Sequence, residues 1–260
     1  TSLQEAIVAA AARNTTLFAT LPTGGGKSLC FLLPALMRYL RRNMLTIVIS
    51  PLQALMKDQV DNFSRQTGTK IAAALSGMLT LPERGEVLEA VRLGDVGILY
   101  VSPEQLRNHS FTSTVSQREI GAWVFDEAHC LSKWGHDFRP DYLYSIRFIR
   151  EFAQQEKTAI PPVQCFTATA KRDVKAEIID IIQSELGLRV VEFAGGHERT
   201  NLHFSSTGPP RSSVPPMPSA WASTRTTCDW SSTPTSPARS KTTCRKPAGP
   251  GGTGTRPSAF

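Results

Sequence analysis

Seven short apolar runs, each separated from the next by a stretch of helical periodicity, constrain this chain more than any other feature. They fall at residues 17–19, 45–49, 71–75, 98–101, 123–125, 163–166 and 190–193. Runs this short, apolar at consecutive positions, read as strands buried on both faces. The stretches between them carry stripes that fit one side of a helix. Leu52, Leu55, Met56, Val60 and Phe63 form one; Val174, Ile178, Ile181, Ile182 and Leu186 form another. Strand alternating with helix implies βαβ units. The expected fold class is therefore α/β, a mostly parallel sheet with helices on both faces. Periodicity does not give the strand order.

The pattern stops near residue 205. Residues 206–260 contain no Leu or Ile, one Val and one Phe, and ten of the chain's 18 prolines. Such a segment cannot bury enough apolar surface to offset about 1–2 kcal/mol of backbone entropy per residue, so a disordered tail is expected there. The tail reads either as a natural basic linker that touches nucleic acid or as the product of a reading-frame shift near Ser205. Seven of the 29 Lys and Arg but one of the 22 Asp and Glu lie in it, so it holds six of the seven net positive charges. A basic balance points to nucleic acid only weakly when it sits outside the patterned body. The body, residues 1–205, is the one expected folded domain.

Cys30, Cys130 and Cys165 are scattered among apolar residues, and Cys228 and Cys244 lie in the tail. No CxxC pair or metal-type spacing occurs, so neither a zinc site nor a disulfide framework is expected. No apolar run approaches the roughly 20 residues of a membrane span, and no secretory pattern opens the chain. A reducing, cytoplasmic setting follows, without a membrane partner.

Leu21-Pro22-Thr23-Gly24-Gly25-Gly26-Lys27-Ser28 follows an apolar run and opens a helical stripe. That is the context a phosphate loop requires. Glycines let backbone N–H groups turn toward phosphate oxygens, and a helix N-terminus adds partial positive charge. Thr23, Gly24, Gly25, Gly26, Lys27 and Ser28 are the candidate ATP-binding residues. Lys27 is suited to the β- and γ-phosphates and Ser28 to Mg²⁺. The strict pattern has Gly where this chain has Leu21.

Trp123-Val124-Phe125-Asp126-Glu127-Ala128-His129 is an apolar run ending in two acids. Adjacent carboxylates at a buried strand end are costly unless they serve a cation or a proton. Asp126 is the candidate Mg²⁺ ligand and Glu127 the residue that orients and deprotonates an attacking water. With Lys27 and His129 they make the candidate catalytic set for metal-assisted phosphoryl transfer. Three more strand ends carry hydroxyls. Phe166-Thr167-Ala168-Thr169-Ala170 offers Thr167 and Thr169 to couple the phosphate site to nucleic acid. Ser50-Pro51-Leu52-Gln53 and Ser102-Pro103-Glu104 offer Ser50, Pro51, Gln53 and Ser102 to a phosphate backbone. Each alone reads as a helix N-cap.

Immediately after the acidic box comes Leu131-Ser132-Lys133-Trp134-Gly135-His136-Asp137-Phe138-Arg139-Pro140-Asp141-Tyr142. Trp134 and Phe138 offer flat faces to the bases of single-stranded DNA, worth roughly 1–3 kcal/mol per base, and Arg139 and Lys133 offer charge to phosphates. The competing reading makes both aromatics core residues; their polar neighbours argue against it. With the motifs before it, this segment resembles the aromatic-rich loop of the RecQ family, superfamily 2 DNA helicases of the DEAH type. The resemblance covers residues 1 to about 205 and implies a RecA-like first motor lobe. It also implies ATP and Mg²⁺ as cofactors and single-stranded or forked DNA as partner, with 3′→5′ translocation. Gln4 matches the family's adenine-reading glutamine. Arg199-Thr200-Asn201-Leu202 resembles the connection into a second lobe, for which the chain shows no counterpart. That lobe carries an arginine finger, worth about 10³–10⁵ in rate in related phosphoryl transfers, so slow hydrolysis and no unwinding are expected of this polypeptide alone. The rival reading is a non-enzymatic nucleotide- and nucleic-acid-binding remnant. A transport ATPase would need coupling motifs that do not occur, and an RNA-directed branch fits residues 134–139 poorly.

Overall fold

The computed structural model describes residues 2–134, 137–168 and 171–194. The expected disordered tail, the segment 199–202 and Thr169 lie outside the described residues. The seven expected strands are present as β1 (Leu17–Thr20), β2 (Leu45–Ile49), β3 (Ala72–Leu75), β4 (Ile98–Val101), β5 (Ile120–Phe125), β6 (Val163–Thr167) and β7 (Val191–Ala194). The helices are α1 (Leu3–Ala12), α2 (Lys27–Arg42), α3 (Gln53–Thr67), α4 (Leu81–Leu93), α5 (His109–Val115), α6 (Pro140–Gln155) and α7 (Arg172–Leu186). Strand β5 begins at Ile120, before the apolar run at 123–125, because Gly121 and Ala122 lack the bulk that marks a strand in sequence.

Among the described residues the strands form one sheet in the order β3-β4-β2-β5-β6-β1-β7. Every pairing is parallel, so all strand C-termini share one edge. Alternate residues feed two cores. Leu45, Ile47 and Ile49 of β2, with Val163 and Cys165 of β6, pack under α4–α7. Val48 and Phe166 pack with Ile7 of α1, Phe31 and Ala35 of α2 and Met56 of α3 on the other face. Helices on both faces of a parallel sheet make this the α/β architecture that the alternating pattern pointed to, and it fits the RecA-like lobe that the resemblance implied.

Two expectations of burial fail at the rim. Among the described residues strand β7 pairs only with β1, and its Val191 is 39% exposed, so it is an edge strand with one covered flank there. In the first helical stripe Met56 and Phe63 are buried, but Leu52 and Leu55 are 43% and 48% exposed. Those two precede or open α3 at the strand-end edge, beyond the reach of the sheet.

Helix α1 begins with a capping box, Ser2 accepting from the Glu5 amide and Glu5 from the Ser2 amide. It is tied to α2 by Arg38, a buried guanidinium whose Nε donates to Asn14 Oδ1 at 3.2 Å and whose Nη2 donates to the Ala11 carbonyl. Burial lowers the Arg38 pKa to about 10. This clamp sets the position of α1, and with it Gln4, over the phosphate loop.

Candidate active site at the strand C-terminal edge

The edge at which β1, β6, β5 and β2 end gathers the motifs. After β1 the chain turns through Thr23 to Gly26 and enters α2 at Lys27. Gly24 and Gly26 have φ of 77° and 73°, where L side chains are strained. A Cβ on Gly25 would sit 2.8 Å from the Pro22 carbonyl oxygen, and one on Gly26 would sit 2.6 Å from Gln4 Nε2. Gln4 donates from Nε2 to the Gly25 carbonyl at 2.8 Å. Helix α2 starts with no side-chain cap, so its first N–H groups face the loop with their partial positive charge. Ser28 is the second residue of that helix.

One strand, β6, separates β1 from β5, and Lys27 reaches across it. Its Nζ lies 3.0 Å from Glu127 Oε1, although 100 positions separate the two residues. Glu127 has φ of 49°, an uncommon conformation for a side-chain-bearing residue. That left-handed turn ends β5 and starts a 3₁₀ turn over Ala128–Leu131. The Glu127 amide donates to Asp126 Oδ1 at 3.0 Å. His129 Nδ1 lies 3.1 Å from Thr167 Oγ1 and 3.3 Å from Glu127 Oε2, and its Nε2 lies 3.7 Å from Asp137 Oδ2. Phosphate loop, acidic box and the hydroxyl at the end of β6 therefore form one polar network.

The electrostatics divide the two acids. Burial, with Glu127 alongside, pushes Asp126 up to about 6. The hydrogen bond from His129 and the Lys27 ammonium hold Glu127 down to about 2. Hydrogen bonds to Cys130 and Glu127 raise His129 to about 10. A carboxylate whose ionisation is resisted by burial is one that a divalent cation would stabilise. Uncapped amides, left-handed glycines and a primary ammonium beside them suit a triphosphate. The residues present fit ATP with Mg²⁺. No group of three or more His, Cys, Asp or Glu able to hold a metal occurs among the described residues; Mg²⁺ commonly binds through one or two carboxylates plus substrate phosphates.

The nucleic-acid candidates divide. Trp134 is 76% exposed, which removes the core-aromatic reading for it; Phe138 is half-buried. Arg139 is turned inward: its Nη1 donates to the Pro51 carbonyl at 3.1 Å, so part of its fork is spent on the chain itself. Ser50 and Pro51 are buried, and the Ser50 amide donates to Val101 within the sheet instead of facing a phosphate. Ser102 is less accessible than the sequence suggests. It is 1% exposed with a buried hydroxyl, because β4 lies inside the sheet and the 3₁₀ turn over Pro103–Arg107 covers its end. Gln53, half-buried at the uncapped start of α3, is better placed. Sequence reasoning assigned no role to Tyr142, whose hydroxyl lies within hydrogen-bond reach of the Asp126 and Ile49 carbonyls. The one signal available was a tyrosine in the first turn of a helix opened by Pro140.

Comparison with known proteins agrees with this geometry. A family model described as DEAD/DEAH box helicase matches residues 1–177. The probable ATP-dependent DNA helicase RecS of Bacillus subtilis (strain 168) is 38% identical over 188 residues, 72% of this chain and 35% of that protein. The ATP-dependent DNA helicase RecQ of Haemophilus influenzae is 34% identical over 203 residues, 78% of this chain and 30% of that protein. The chain thus spans about a third of the length of these relatives. Among solved structures, the DUF1998 helicase MrfA bound to DNA superposes with a TM-score of 0.59 at 17% identity, covering 75% of this chain and 27% of that one. That likeness speaks for the fold. A family match that starts before the phosphate loop and ends inside α7 takes in every element that builds this edge, and the chain belongs to the DEAD/DEAH box helicase family.

Proposed function

We propose that the chain is the ATP-hydrolysing first lobe of a RecQ-type DNA helicase that moves 3′→5′ on single-stranded DNA. The observation that carries this reading is the meeting of Lys27 with Glu127, beside Asp126, at one sheet edge. In this role Lys27, Ser28 and the loop amides hold the phosphates, Ser28 and Asp126 hold Mg²⁺, and Gln4 reads the adenine. When bound, magnesium ATP supplies a phosphoryl group transferable to water. Glu127 aligns that water and accepts its proton once Lys27 has turned to the nucleotide. His129 and Thr167 link the acids to the end of β6, and Thr169 is the second hydroxyl assigned to coupling with DNA. Trp134 stacks on bases of single-stranded or forked DNA, and Phe138, Gln53 and the remaining Arg139 donors supply further contacts. The working compartment is the cytoplasm, on DNA. No helix among the described residues is long and apolar enough to cross a membrane.

On this reading the lobe by itself hydrolyses ATP slowly, and an arginine supplied from outside it would stabilise the transition-state charge. Phosphate release by the full chain, measured with Mg²⁺ and with or without single-stranded DNA, tests the assignment. Slow turnover that rises with DNA supports it. Nucleotide binding with no turnover under either condition favours the non-enzymatic remnant. Unwinding of a forked duplex by this chain alone would overturn the single-lobe part.

A further inference from the structure

The acidic box has a partner that the mechanism above does not use. Tyr142 is fully buried, in the first turn of α6. Its hydroxyl oxygen is 2.9 Å from the Asp126 carbonyl oxygen and 3.3 Å from that of Ile49. The Ile49 carbonyl also accepts the Asp126 amide at 2.9 Å. The Asp126 peptide is therefore gripped on both sides, by backbone at its N–H and by a phenol at its C=O. A phenol has one proton for two acceptors, so the hydroxyl favours the nearer carbonyl and has a second acceptor within reach. Its ring packs against Phe125, the residue before the acid, with centroids 6.0 Å apart.

The segment that leads into α6 is tied down as well. Arg139, the residue before α6, donates to the Pro51 carbonyl at 3.1 Å, and its amide donates to the Cys130 carbonyl at 3.1 Å. Ser132 donates to Glu177 of α7 and accepts the Trp134 amide at 3.1 Å. We infer that Tyr142 is a positioning residue: its hydroxyl, held on the Asp126 carbonyl, sets the orientation of the acid proposed to hold Mg²⁺. This rests on the function proposed above.

Tyr142→Phe in the full chain removes one oxygen and keeps the ring. The primary readout is binding of a fluorescent ATP analogue titrated with Mg²⁺. The expected result is a melting temperature close to wild type and a half-saturating Mg²⁺ concentration raised by about fivefold, the effect of one hydrogen bond. Single-stranded DNA affinity should stay within about twofold. Unchanged Mg²⁺ half-saturation in a folded Tyr142→Phe variant overturns the inference. If the substitution lowers the melting temperature sharply, Tyr142→Leu is measured beside it; equal Mg²⁺ dependence in the two, after correction for the folded fraction, supports the hydroxyl role, and a normal value in either overturns it. Wild-type turnover that ignores DNA would instead sink the helicase reading, and the Mg²⁺ titration would still decide the role of Tyr142.

Discussion

Replacing Glu127 by Gln should tighten nucleotide binding while abolishing turnover, and the reason is the company Glu127 keeps. Lys27 Nζ lies 3.0 Å from its carboxylate, with the two side chains 14% and 27% exposed. A triphosphate needs the same ammonium, so binding exchanges one anion for another. At an effective dielectric near 20 the attraction at this distance is about 5 kcal/mol. Desolvation of both ions and the ordering of a flexible lysine cancel most of that, leaving about 1 kcal/mol net for a half-buried pair. Removing the competing charge should then improve affinity about fivefold. Lys27→Ala loses the charge-assisted contact itself and should weaken binding by about 10- to 150-fold. Equilibrium titration of the full chain with a fluorescent ATP analogue in Mg²⁺ reads the affinities, and phosphate release reads turnover. Both variants should lose turnover. If Glu127→Gln weakens binding as much as Lys27→Ala does, the exchange of partners is not how this lysine works, and the roles given to both residues fail.

Trp134→Ala should change stability by less than about 0.5 kcal/mol, since the side chain is 76% exposed, yet lower single-stranded DNA affinity by about 5- to 150-fold in a filter or anisotropy assay; unchanged affinity would remove the loop from the DNA interface. Gly97→Ala should cost about 1–3 kcal/mol, because its Cβ would fall 2.3 Å from the Tyr39 ring; a denaturant midpoint equal to wild type would show that the ring moves aside freely. The acidic network should also carry a pH signature. Glu127 sits below its ordinary 4.5, so its contribution is full above that pH and is lost as pH falls toward about 2. His129 sits above its ordinary 6.5, so its contribution is full below that pH and is lost as pH rises through about 10. The melting-temperature gap between wild type and His129→Asn should therefore shrink from pH 6.5 to pH 10, and a gap that widens would contradict the protonated pairing.

The features legible in sequence were those with a periodic or positional signature. Consecutive apolar residues located all seven strands because a strand covered on both faces has no polar side to interrupt the run; where cover was one-sided, at Val191 in edge strand β7, the inference of burial failed. Lys27, Asp126 and Glu127 were legible as a set because glycine-lysine-serine after a strand and paired acids at a strand end are each expensive arrangements unless used. Their meeting then follows from a parallel sheet, which sends every strand C-terminus to one edge.

The side-chain partners that escaped the sequence share a physical cause. Arg139, offered as a phosphate contact, donates to the Pro51 carbonyl. Tyr142, given no role, reaches the Asp126 carbonyl. Gln4 bonds the Gly25 carbonyl, and Arg38 bonds that of Ala11. In each case a side chain of the kind that recognises ligands is pointed at main-chain oxygen. Every residue carries such an oxygen, so the acceptor leaves no trace in the amino-acid pattern, and only the fold decides which carbonyls lack a ladder partner. Strand ends and helix ends are where such carbonyls collect, and in this lobe they are also where the phosphate loop, the acids and the Trp134 loop collect. A polar residue near those ends therefore has two rival partners, the backbone and the ligand. Where the backbone holds it, as with Arg139 and Tyr142, it can still act on the reaction, but only by moving the chain it grips.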